Sequence, residues 1–205
     1  MMPNDYETLS SKLPHIKEYV PVSGAEKFFI SEVLRFNSVA GTILEGFPDP
    51  QQNIDSRIIT HILARSLFEN YFWLLYIFDD PSTVSNRFNE LLNDFKIQYN
   101  KLYNEPALPH KDKLEIPSAS WASLPKPKDI NSMLVALKND YGDRLNYIYF
   151  VYRITSFDTH GKSLKSLFDE SFNKNCNFPV LDLPKSFNLI ANQYLVIWQT
   201  ICPAK

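Results

Sequence analysis

The chain has 205 residues, of which 44% are hydrophobic and 21% charged, and its formal charge is -2. A length of this order holds one substantial domain or at most two small ones, and the composition argues against a chain disordered overall. The weak charge excludes the basic field that draws in DNA nonspecifically, while leaving room for a local patch that holds RNA.

The first residues, Met1 to Glu7, show no basic stretch followed by an apolar run, so no signal peptide is expected. Residues 1–50 are assigned N-terminal helices of a single helical domain spanning 1–205. His15 lies in a Pro-flanked segment with no paired ligand and reads as a surface residue. A first long helix runs from Gly24 to Leu44, with Phe28, Val33, Phe36, Ala40 and Leu44 near one face. A second starts near Asn53 or Asp55, either a good N-cap, and ends around Phe78. Its run from Tyr71 to Phe78 is the most apolar in the chain, but Glu69 and Asn70 precede it and Asp79 and Asp80 follow. That is far short of the about 20 residues a bilayer requires, so no membrane partner is expected.

Asp79-Asp80 before Pro81 reads as a helix end and turn. The next helix follows Pro81, with Ser82 as its cap and Phe88, Leu91, Leu92, Phe95 and Tyr99 as its stripe. Residues 104–128 carry Pro106, Pro109, Pro117, Pro125 and Pro127, and form a long irregular connection that also holds His110. The bundle proper is assigned to 51–103 and 129–201. Its later helices are Ile130 to Asn139, ending at Tyr141-Gly142; Asp143 to His160, stopping at Gly161; Ser163 to Phe172; and Lys185 to Ile201. Asn177 to Leu183 is too short to build a sheet on. The fold class is therefore all-α, a helical bundle of about six to eight helices with a long Pro-rich loop.

Several chemistries find no support. No two of the five glycines lie close enough for a phosphate-cradling loop. Cys176 and Cys202 have no partner spacing, which excludes a zinc knuckle and a disulfide framework and fits a reducing, cytoplasmic setting. No pair of Glu-x-x-His helices and no G-x-S-x-G elbow occurs, so neither a metal nor a cofactor is expected.

Two helices carry polar groups in unexpected places. On the helix ending at Phe78, Ile54, Ile58, Ile62, Phe72 and Tyr76 share a face with Arg65 and Glu69, and His61 lies beside them. A charged pair on an apolar stripe is costly unless its members bond each other or something they face. An internal Arg65–Glu69 bridge that fixes helix register and a role in a site both satisfy that demand. On the helix from Asp143, Ile148, Val151 and Ile154 form one side. Tyr149, Tyr152, Arg153, Ser156 and His160 fall within about a quarter turn of one another on the other side. Arg153, Ser156 and His160 are spaced i, i+3, i+7 along one edge. A solvated face, with a last-turn His complementing the helix dipole, explains that edge. So does chemistry. An imidazole can move protons at a ribose 2′-hydroxyl and a leaving 5′-oxygen, a guanidinium can fork a phosphate, and Ser156 and Tyr152 can hydrogen-bond its oxygens.

The run Arg153-Ile-Thr-Ser-Phe-Asp-Thr-His160 matches R-x(4–6)-H and resembles the HEPN superfamily, helical-bundle ribonucleases of toxin–antitoxin, abortive-infection and CRISPR systems. The wider pattern is similar to a related group of uncharacterised bacterial helical proteins. These pair an R-x-x-x-E helix, here Arg65 to Glu69, with a Y-R-x-x-S-x-x-x-H-G helix end, here Tyr152 to Gly161. The likeness covers roughly 55–172. It implies that two protomers join their motifs into one composite site, with Arg153 and His160 catalytic: Arg153 grips phosphate and His160 is acid or base. Arg65, Glu69, Tyr152 and Ser156 are then the binding residues. The position after the arginine is commonly Asn, Asp or His in active members, and here it is Ile154. The function so implied is a metal-independent ribonuclease of a defence or toxin system, with RNA, a second copy of the chain and an antitoxin-like protein as partners. The alternative is a non-catalytic helical interaction or ligand-binding module in which the same residues form a structural polar network.

Overall fold

The computed structural model describes residues 4–47, 54–160, 164–174 and 181–203, with side chains from Arg57 in the second range and from Lys165 in the third. Among the described residues there is no strand. The helices are α1 (Asp5–Glu18), α2 (Gly24–Gly46), α3 (Ile54–Phe78), α4 (Val84–Tyr103), α5 (Ile130–Val135), α6 (Gly142–Thr159), α7 (Leu164–Phe172) and α8 (Leu183–Ile201). The all-α bundle is thus what the chain forms. None of the described helices is long and apolar enough to cross a membrane. The residues group into two compact units, Met1–Leu74 with Asn139–Lys205, and Leu75–Lys138.

In the first unit α8 packs against α1, α2 and α6, and α7 lies on α6. Side-chain caps start the helices: Ser23 accepts the Glu26 N–H at 3.2 Å, and Asp182 accepts that of Lys185 at 2.9 Å. The buried face of α2 is Ala25, Phe29, Val33, Phe36, Ala40 and Ile43, a helical repeat of three and four. Phe29 and Ile43 are buried in place of the expected Phe28 and Leu44, the first one residue later and the second one residue earlier. Phe36 meets Phe187 and Tyr194 edge-on at centroid distances of 6.0 and 5.2 Å, the ring geometry that favours aromatic packing. α1 runs through Pro14, a residue that lacks the N–H for its helical bond. Burial of Leu9 and Ile16 compensates, a tertiary effect that local patterning does not display.

The second unit holds the end of α3, then α4, α5 and the Pro-rich connection, which contains short 3-10 turns at Lys111–Lys113 and Ala119–Ser123. Ser82 does not cap α4: Thr83 precedes that helix without a side-chain cap bond, and Ser82 lies in a 3-10 turn, Pro81–Thr83, capped by Asp80, whose carboxylate accepts the Ser82 N–H at 2.9 Å. Arg87 is buried, donating to the Tyr76 and Ala136 carbonyls and to Asp79, whose side chain is fully enclosed. α5 stops at Val135, four residues before the expected Asn139. Asn53, Gly161, Ser163, Cys176 and the segment 175–180 lie outside the described residues.

Candidate functional site

α3 and α6 run antiparallel in the first unit, because partners on α6 descend as those on α3 ascend. Arg57 and His61 meet Asp158, Arg65 meets Ser156 and Tyr152, and Phe72 meets Tyr152 and Tyr149. The buried surface of α3 in this stretch differs from the predicted isoleucine stripe. Ile62 is 46% exposed, whereas Thr60, His61, Ala64 and Arg65 are buried. The reason is that α6 supplies hydrogen-bond partners to the polar groups, which removes most of the penalty for enclosing them.

Arg65 is the centre of this contact. Its Nε donates to Ser156 Oγ at 2.9 Å and its Nη2 to the Tyr152 hydroxyl at 2.9 Å. The guanidinium lies 3.7 Å from the Tyr152 ring centroid, a cation–π distance. Its Nη1 is 2.8 Å from Glu69 Oε1, one turn along, and Glu69 is half-exposed. Ser156 in turn donates to the Tyr152 carbonyl at 2.8 Å, so its rotamer is set from within α6. Burial pushes the Tyr152 hydroxyl above its ordinary pKa, against the opposite pull of Arg65, and Glu69 adds to the rise. The group stays protonated and keeps an O–H to donate.

Beside this pair opens a cleft of about 340 Å³, lined by Arg65, Tyr152, Arg153, Ser156, Phe157 and His160. Five of the six residues singled out in the sequence therefore share one concavity. Glu69 does not line it and pairs with Arg65. Arg153 is exposed, its Nη1 donating to the Tyr149 hydroxyl at 3.4 Å. His160 is exposed at the C-cap of α6, where its N–H bonds the Ser156 carbonyl at 3.1 Å. The local reason for their company is helical spacing: i and i+7 positions lie two turns apart on one edge, about 10 Å along the axis. Ile154, next to Arg153, is half-buried on the other side. His15 and His110 are exposed, outside this cleft.

One group the sequence did not single out is Asp158. Its enclosed carboxylate lies 2.6 Å from His61 Nδ1 and 4.0 Å from Arg57 Nε, tying the end of α6 to α3. A signal for it exists: Asp158 is i+7 from Val151 and i+4 from Ile154, so it is a charge on the apolar side of α6. No family model, no curated protein and no solved structure matches this chain.

Proposed function

We propose that the chain is a HEPN-like, metal-independent ribonuclease of the cytoplasm, acting as a homodimer in a defence or toxin setting where an antitoxin-like protein restrains it. The observation that carries this reading is that the exposed Arg153 and His160 face one open cleft, with Arg65, Tyr152 and Ser156 lining it as well. The space suits a phosphate with its sugar. His160 takes the proton of a ribose 2′-hydroxyl, the 2′-oxygen attacks phosphorus, and the bond to the 5′-oxygen breaks as that oxygen receives a proton. A second copy's imidazolium is the donor. The products are a 2′,3′-cyclic phosphate and a 5′-hydroxyl. Arg153 forks the phosphate and stabilises the charge that grows on it, Tyr152, whose hydroxyl still has its proton to give, hydrogen-bonds one of its oxygens, and Ser156 holds Arg65 in place beside it. The nucleophile belongs to the RNA, so this step calls for no metal.

A second reading, a non-catalytic binding module, has its own support. Arg65 is already engaged by Glu69, Tyr152 and Ser156, the pattern of a structural network, and Ile154 stands where active relatives of the resembled superfamily carry a polar residue. Cleavage of total RNA in EDTA by wild type, Arg153→Ala and His160→Ala separates the two. The nuclease reading expects cyclic-phosphate ends from wild type and a loss on the order of 10²–10⁴-fold in His160→Ala. Wild type that cuts nothing, or equal cutting by all three, rejects it.

A further inference from the structure

Phe150, Arg153 and Phe157 of α6 and His160 at its C-cap follow one another at i, i+3, i+7 and i+10 and all are exposed. Phe157 differs from Phe150 in one respect: it lines the cleft, between Arg153 four residues before it and His160 three residues after. Its ring is 45% exposed. A lone exposed aromatic on a helix is unremarkable, since much of any protein surface is apolar. A ring that lines the same cleft as a guanidinium and an imidazole, together with Arg65, Tyr152 and Ser156, is different. A guanidinium and a second hydrogen-bonding ring in the same cleft make the setting poor for an aliphatic partner and good for a ligand that is anionic and carries flat π-faces. Polynucleotide strands are such ligands: every base offers a face, and each is joined to phosphates on either side.

We propose that Phe157 is the platform on which an unpaired base next to the scissile phosphate stacks. The proposal rests on the ribonuclease reading and adds to it a residue that positions the substrate. Helical rise places the ring about 6 Å along the axis from Arg153 and about 4.5 Å from His160. A base seated on it therefore sets its own phosphate between the guanidinium and the imidazole. A base inside a duplex has its faces covered by its neighbours and cannot reach a ring on a helix edge, whereas an unpaired base can be splayed onto it. Positioning of this kind converts binding of a remote group into alignment at phosphorus.

The test uses the full chain and a short fluorescein-labelled all-2′-deoxy strand, which binds without being cleaved, alongside the matching ribo strand for cleavage. Fluorescence anisotropy is read for wild type, Phe157→Ala, Phe157→Trp and Phe150→Ala, on the single strand, its duplex, and a strand with central abasic sites. Removing one base-stacking ring is expected to weaken single-strand binding by about 5- to 150-fold. Phe157→Trp restores it, Phe150→Ala leaves it unchanged, and wild type binds duplex and abasic strands as weakly as Phe157→Ala binds the single strand. If wild type cleaves but Phe157→Ala binds and discriminates as wild type does, the platform is wrong and the nuclease reading stands. If wild type binds with this ring and base dependence but never cleaves, the platform stands and the nuclease reading falls. Wild type that neither binds nor cleaves removes both. If Phe157→Ala instead dissociates a homodimer in sedimentation runs, with abasic and intact strands bound alike, the ring is an interface residue and the platform is overturned.

Discussion

Arg65 and Arg87 have closely similar surroundings. Each guanidinium lies over a tyrosine ring, 3.7 Å from Tyr152 and 4.4 Å from Tyr76, and each has a carboxylate beside it. They differ in what closes the shell. Arg87 spends its donors on two backbone carbonyls and on Asp79, whose side chain is wholly enclosed. Arg65 spends its donors on two side-chain hydroxyls and a half-exposed Glu69, and it lines a cleft. Carbonyls and enclosed carboxylates are fixed acceptors that leave no place for a ligand. The Ser156 proton is held by the Tyr152 carbonyl, but the Tyr152 hydroxyl also donates, so the shell around Arg65 can pass a hydrogen bond outward to an incoming anion. An ion pair on an apolar stripe therefore says little about function until its acceptors are known.

Arg87→Ala is expected to have the largest effect on stability, about 3–5 kcal/mol in chemical denaturation, because it strands the Asp79 charge in the interior. If the loss were below about 1 kcal/mol, the two arginines would not differ as described. Arg65→Lys keeps the charge but loses the fork to Ser156 and Tyr152, and is expected to cost about 2 kcal/mol. It should also weaken binding of the deoxy strand, which no substitution at Arg87 that leaves the protein folded would do. Glu69→Gln is expected to cost no more than about 0.5 kcal/mol, since this carboxylate is half in solvent and pairs within one helix. The smallest effect is at the surface of the second unit. Lys138 first, then Ser82, hold the Asp80 carboxyl down to about 2 from its ordinary 3.8. A depressed carboxylate stabilises the fold above its unfolded value and loses that contribution as pH falls through the folded one. Asp80→Asn should therefore lower Tm slightly near neutrality, and the gap should close toward pH 2.

What the sequence made legible was local. The edge of Arg153, Ser156 and His160 follows from helical spacing alone, and so does the Arg65–Glu69 pair at i, i+4. Partners across helices carried no such signature: Tyr152 and Ser156 lie 87 and 91 residues from Arg65, and Asp158 lies 97 from His61. Only packing brings these together. The same cause reversed the isoleucine expectation on α3, where Ile62 faces outward because His61 and Arg65 found acceptors on α6. α1 escaped definition because Pro14 is a local break that Leu9 and Ile16 overcome by burial, a tertiary effect.

The Asp158–His61 pair has a consequence for His160, two residues on. Terminal turns of helices ordinarily fray, and their amides exchange with solvent freely. Here an enclosed carboxylate staples the last turn of α6 to the middle of α3. The exposed imidazole thus projects from a stiff mount, and the orientation it presents to the cleft is inherited from the interior of the bundle.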